Sequence, residues 1–150
     1  MNSTTDFLEI INRFKERLAQ TPEEKTDISV SEDSWSLKEI IGHLIDSASN
    51  NHQRFVRLQS GDLLDFPEYD GEEWIRIQKY NEMSWDCLVT LWYSYNLHII
   101  KVIEHIDIQT LKNVWVRGEE VIELEFLISE YYSHMKWHFQ QFYDRQAQII

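Results

Sequence analysis

What most limits the folds open to this chain is the spacing of its apolar residues, which recur at steps of three and four along four long segments. That spacing places them on one face of an α-helix. Phe7, Ile11, Phe14 and Leu18 mark the first stripe, in a helix expected over residues 4–20 and stopped by Thr21-Pro22. Residues 21–34 are polar and loop-like. Ser36-Leu-Lys-Glu39 is a capping box, in which hydroxyl and carboxylate each satisfy a free backbone amide. It opens a second helix that runs to about Ser60 and stops at Gly61, with Leu37, Ile41, Leu44, Ala48 and Phe55 inward. Asp65-Phe-Pro67-Glu-Tyr69-Asp-Gly71 reads as a loop suited to cover one end of the core, followed by a short helix from Glu72 to Asn81. Ser84 caps a third long helix ending near Ile106, with Leu88, Trp92, Tyr95, Ile99 and Val102 inward. Residues 107–120 return to loop, turning at Arg117-Gly118, and a fourth long helix spans about Val121 to Gln146. No segment reads convincingly as a strand, and there is no internal repeat. Four such helices can bury their stripes only against one another. The expected fold is therefore all-α: one domain over residues 1–150, an antiparallel four-helix bundle with a short extra helix between the second and third long helices.

Composition narrows the function classes. A 43% apolar chain with 13% aromatics and six tryptophans suits a packed core or pocket rich in rings. The net charge of −12 opposes binding to nucleic-acid phosphates and to anionic membranes, so neither is expected as a partner. No run of 18 apolar residues exists to span a bilayer. The opening Met-Asn-Ser-Thr-Thr-Asp lacks the basic and apolar regions of a signal peptide. Cys87 is the single cysteine, which rules out an intrachain disulfide and points to a reducing, cytoplasmic compartment.

Chemistry concentrates near the C-terminus. Leu124, Leu127, Tyr131, His134, His138 and Gln141 share one helical stripe, so His134 and His138 lie one turn apart on the inward face. Burying two imidazoles costs free energy unless each finds a partner. One metal ion would serve both; so would separate hydrogen bonds, and the bare H-x-x-x-H spacing does not separate these readings. A catalytic metal site wants a third protein ligand and an open position. His43 has apolar flanks in Ile40, Ile41 and Leu44, whereas His52 falls about 180° round the same helix. His98 and His105 lie off the apolar stripe of the third helix and read as surface residues. Glu39, Asp46 and Glu130 each sit about a turn from a candidate ligand and suit either an orienting acceptor or a solvated face.

A second stripe on the second helix, Ile40, His43, Ser47, Asn50 and Arg54, reads as a polar pocket wall or a solvated flank. Gly42 costs ~1 kcal/mol against Ala inside a helix and suits close approach by a neighbour. Arg54 brings a permanent charge beside a cation site and wants an anion. That anion is a substrate or cofactor group, or an acid of the Asp65–Glu73 loop; in so acidic a chain the loop is the commoner arrangement.

Trp35-Ser-Leu-Lys-Glu-Ile-Ile-Gly-His43-Leu-Ile-Asp46-Ser, followed by His134-x-x-x-His138-x-x-Gln141, resembles the DinB/YfiT-like superfamily over about residues 7–146. The resemblance implies an up-down-down-up bundle, a homodimer, and a divalent metal on His43, His134 and His138. Gln141 matches the polar residue one turn after the last ligand. Imidazoles suit zinc or nickel, with iron or manganese next. Relatives include thiol S-transferases that use bacillithiol or mycothiol, mycothiol-dependent isomerases and metal-dependent hydrolases. The leading expectation is a metal-dependent S-transferase that joins a low-molecular-weight thiol to an electrophilic small molecule, the metal holding sulfur as thiolate. Arg54 would take a carboxylate of the thiol, and Phe66–Tyr69, Trp74 and Tyr80 would cover the apolar part of the substrate. One alternative is hydrolysis by metal-activated water, with Glu130 or Asp46 as base. Another is a dimeric bundle that binds a metal or ligand without turnover. Trp85, Trp92, Tyr93 and Tyr95 offer more ring surface than one inward stripe can bury, which also favours a dimer.

Overall fold

The computed structural model describes residues 3–149. Five helices form: α1 (Thr4–Ala19), α2 (Leu37–Arg57), the short α3 (Gly71–Gln78), α4 (Trp85–Glu104) and α5 (Leu124–Ile149). Single 3-10 turns at Glu23–Lys25, Tyr80–Glu82 and Ile108–Thr110 punctuate the connections. The caps act as their sequence requires. Ser36 accepts from the Glu39 amide while the Glu39 carboxylate takes the Ser36 amide. Ser84 accepts from the Cys87 amide and Asp70 from the amides of Glu72 and Glu73. The short helix ends three residues before its expected limit, at Lys79, which adopts a left-handed φ of 53°.

The segment expected to be loop contains a hairpin. Strand β1 (Val114–Arg117) pairs antiparallel with β2 (Glu120–Glu123), turning through Gly118 at φ 61°. Each strand is only four residues long, too short for alternation to stand out from the sequence. Two such strands are marginal alone. Here they are held from outside: the Leu63 amide donates to the Val114 carbonyl at 2.9 Å, and the Val116 amide donates to Leu63 at 2.8 Å. Trp115 is 1% exposed and anchors the hairpin in the protein. Because β2 takes residues 120–123, α5 starts at Leu124 rather than Val121 and continues past Gln146.

The stripes of α1, α2, α4 and α5 close one core. Phe14 stacks on Phe139 at 3.7 Å and meets Trp92 and Phe142 edge-on. Contacts between α1 and α5 rise together along both helices, from Phe7 against Tyr132 to Arg17 bonded to Gln146. Contacts between α2 and α5 run oppositely, from His43 against His138 to Phe55 against Tyr131. Consequently the first half of α2 faces the second half of α5. Trp85 and Trp92 are buried, Tyr93 donates to Asn12, and Tyr95 meets His52, so the rings of α4 are largely used within the bundle. Among the described residues no helix is long and apolar enough to cross a membrane.

Candidate metal centre

His43 stands on α2, and His134 and His138 on successive turns of α5. Antiparallel packing brings the three together. His134 Nε2 lies 3.3 Å from His43 Nε2 and 3.0 Å from His138 Nε2, and all three candidate ligand atoms fall within 4.8 Å of one another. Nitrogens ~2.1 Å from a shared ion sit roughly 3–4.5 Å apart, as the two short pairs do.

Hydrogen bonds alone do not account for this arrangement. The Nε2 of a neutral imidazole carries one hydrogen or one lone pair, so His134 Nε2 cannot form a well-directed bond to both neighbours. A cation at the common point satisfies all three nitrogens. His138 also presents the required tautomer: its Nδ1–H donates to Gln141 Oε1 at 2.7 Å, which leaves the Nε2 lone pair facing inward. Burial, reinforced by the neighbouring rings, pushes His43 down to about 3. Burial then His138 pushes His134 down to about 4, and burial lowers His138. Three uncharged imidazoles are the form a metal takes. The donor set therefore fits a divalent ion.

The surroundings shield one side. The Trp35 ring lies 4.8 Å from the His43 ring, and its indole N–H donates to Glu72 at 3.1 Å. A side chain at Gly71 would come within 3.2 Å of His43 Cε1, so the first turn of α3 closes directly over that ring. His43 Nδ1 is buried with no protein partner. Trp35 lay within the motif, but no local pattern marked Gly71; its role depends on where α3 docks.

His134 opens the other way, into a cavity of about 250 Å³ walled by Ser47, Asn51, Arg54, Tyr69, Trp115, Arg117, Glu130 and apolar residues of β2 and α5. Ser47 and Arg54 stand where the second stripe of α2 put them. Asn50 does not line this wall; its amide bonds back to the Asp46 carbonyl, and Asn51, one position on, faces the cavity. A helix stripe this broad leaves two neighbours competing for one wall, and the docking of α5 and the hairpin decides between them. A second cavity of about 310 Å³ reaches His138 beside Trp35, Glu72, Gln141 and Arg145.

Asp46 bonds no histidine. It is 2% exposed and accepts from Tyr80 Oη at 2.6 Å and Gln78 Nε2 at 2.8 Å. Tyr80 is thereby buried behind the site rather than covering a substrate, whereas Tyr69 does line the cavity, with its ring tilted against Trp74 at 5.1 Å. Glu130 is exposed on the cavity wall, and Glu39 is spent on its cap. His52 pairs with Tyr95 at 2.9 Å, away from the triad, and His98 and His105 are exposed. Arg54 is 6% exposed but forms no ion pair with the Asp65–Glu73 loop or any other described residue. Its guanidinium lies 4.1 Å from the Trp115 ring centre.

Comparison with known proteins places this geometry. The family model of the DinB superfamily matches residues 7–141. A search of curated proteins gives no match. Among solved structures, YfiT from Bacillus subtilis, described as a probable metal-dependent hydrolase with an unusual four-helix bundle topology, superposes with a TM-score of 0.81 at 16% identity. That match covers 97% of this chain and 86% of YfiT. A mutant mycothiol-dependent maleylpyruvate isomerase gives a TM-score of 0.71 at 10% identity over 93% of this chain, and another structure of a mycothiol-dependent maleylpyruvate isomerase gives 0.63 at 12% over 99%. The chain spans 62% and 63% of those two isomerase chains. At these identities the likeness is one of fold.

Proposed function

Because the chain belongs to the DinB superfamily, we propose that it is a divalent-metal-dependent enzyme whose ion is held by His43, His134 and His138, and that its chemistry is thiol S-transfer to an electrophilic small molecule. The observation that carries this reading is the convergence of three uncharged ring nitrogens at the end of a cavity. Zinc or nickel suits the donor set best, with iron or manganese as further candidates. When bound, the ion supplies the charge that keeps a thiol sulfur ionised near neutral pH.

The protein's own groups do the rest. Gln141 fixes the His138 ring through Nδ1. Trp35 and the Gly71 turn crowd the ring of His43 on its far side, which leaves the His134 side for reactants. Tyr69 and Phe126 offer ring surface to the apolar part of an electrophile. Ser47 adds a hydroxyl to the same cavity wall.

Hydrolysis is the second reading, favoured by Glu130, which stands on the same cavity wall as His134. Asp46 is a poor base for it, being engaged by Tyr80 and Gln78. The third reading, a bundle that binds without turnover, predicts no activity of either kind. Metal-loaded protein offered electrophiles with and without bacillithiol, mycothiol or another small thiol separates the three. Thiol-dependent loss of the electrophile supports transfer; thiol-independent ester or amide cleavage replaces it with hydrolysis. Neither activity across the panel would leave the binding role.

The same proposal includes an up-down-down-up helix order, supported by the parallel sense of α1 and α5 and the opposed sense of α2 and α5. It includes a reducing cytoplasmic setting, supported by the single cysteine. It also includes a homodimer. The α4 rings no longer argue for one, but exposed Leu91, Phe126 and Trp137 remain as apolar surface. Sedimentation at micromolar concentration that shows only an 18.2 kDa species removes the dimer.

A further inference from the structure

Arg54 poses a problem that the metal centre does not solve. Its guanidinium is permanently charged, and the residue as a whole is 6% exposed. Burying such a charge costs several kcal/mol unless an anion or a full set of acceptors compensates. The protein offers it little. Among the described residues its only hydrogen bond to a side chain is to Asn51 Oδ1 at 3.5 Å, and its Nε is buried with no partner there. In a chain of net charge −12 an acid could easily have been placed there. Four acids of the adjacent loop are instead committed elsewhere: Glu68 pairs with Arg117 at 2.8 Å, Asp70 caps α3, Glu72 takes the Trp35 indole and Glu73 pairs with Arg76, while the fifth, Asp65, is exposed and forms no ion pair with Arg54.

The surroundings hold the guanidinium as a platform. Trp115 lies beneath it at 4.1 Å, its own indole N–H tied to the Phe66 carbonyl at 2.9 Å. Tyr69 flanks it at 5.9 Å. Both rings, Arg54 and His134 line the same cavity of about 250 Å³, the volume of a small molecule rather than a macromolecule's side chain cluster.

We propose that the Arg54 end of this cavity is a carboxylate subsite, taking a small, ring-bearing or otherwise flat carboxylate whose other end reaches towards His134. A carboxylate matches the planar fork of a guanidinium through two parallel N–H···O bonds. A monoanion is favoured over a phosphate dianion because Glu130 shares the cavity and Arg117 is already neutralised by Glu68 and Glu120. Trp115 and Tyr69 then flank the carboxylate's apolar body. The subsite stands on Arg54 and Trp115 alone; only the assignment of the ligand's far end to the reacting centre rests on the metal reading.

The test uses metal-free full-length protein with benzoate as probe, benzamide as its uncharged isostere, and inorganic phosphate. Calorimetric titration should show saturable benzoate binding at least about tenfold tighter than benzamide, a difference of ~1.4 kcal/mol. Arg54→Met should lose that preference, and Arg76→Met, at an exposed position outside the cavity, should keep it. In the wild type, benzoate should shift the Arg54 Nε–H signal in a ¹⁵N spectrum, a readout that needs no variant to fold. Absence of benzoate binding, equal binding of benzamide, tighter binding of phosphate, or an Arg54→Met protein that melts earlier yet binds benzoate unchanged would each overturn the subsite. Metal analysis that finds no ion would overturn the metal centre while leaving these binding results to stand by themselves.

Discussion

The ring of Tyr80 lies directly on Gly42: a methyl group at Gly42 would clash with Tyr80 Cδ2 and its ring neighbours. The contact lets the Tyr80 hydroxyl reach Asp46 at 2.6 Å and seats the turn after α3 against α2, beside His43.

Gly42→Ala tests that relation because two effects oppose each other. Helix propensity favours the variant by up to ~1 kcal/mol. Overpacking against a buried ring costs ~1–3 kcal/mol, and displacement of Tyr80 adds the loss of its bond to Asp46. Steric cost should win, with a net loss of roughly 1–3 kcal/mol in urea unfolding. A variant as stable as the wild type would mean that Tyr80 moves aside freely.

Gln141→Leu removes the acceptor that holds His138 Nδ1–H. Metal affinity, measured by competition with a chromogenic chelator, should fall ~10–100-fold while helix content is retained. Unchanged affinity would show that the His138 ring is oriented by packing alone.

Metal removal should lower thermal stability. An ion that binds only the folded state at a hundred times its Kd adds about 2.7 kcal/mol. Melting with zinc and then with excess chelator should therefore differ by several degrees in the wild type and by nothing in His138→Ala. Equal melting of the two wild-type samples removes the three-histidine assignment.

Asp46 sets a pH dependence of definite sign. Burial raises its carboxyl above the ordinary 3.8, partly offset by the bonds from Tyr80 and Gln78. Between 3.8 and that raised value the folded protein holds more protons than the unfolded chain, so this residue's contribution to stability falls as pH rises. Asp46→Asn keeps an acceptor for Tyr80 and does not titrate. The stability of the wild type relative to this variant should be less favourable at pH 7 than at pH 4. A difference that is flat or rises with pH would contradict the burial effect.

Helices α1, α2, α4 and α5 were legible in the sequence because their signals are local: apolar steps of three and four, and hydroxyl caps at Ser36 and Ser84. The shared face of His134 and His138 is equally local, since four residues make about one turn. His43 could be chosen over His52 because its flanks, Ile40, Ile41 and Leu44, are apolar, and both lie on one helix with a known period. Beyond that, tertiary structure decided. Strands β1 and β2 carry too few residues to declare themselves, and they persist because Leu63, fifty residues away in sequence, bonds to their edge and Trp115 finds a place in the interior. Asn51 rather than Asn50 lines the cavity because the angle at which α5 and the hairpin meet α2 selects between adjacent helix positions. The rings of α4 turned inward because α1 and α2 supplied partners for them. Arg54 had acids to choose from in the neighbouring loop, yet Glu68, Asp70, Glu72 and Glu73 are drawn off by an arginine, backbone amides or an indole and Asp65 stays exposed, and no periodicity in a sequence records which of several competing partners lies nearest.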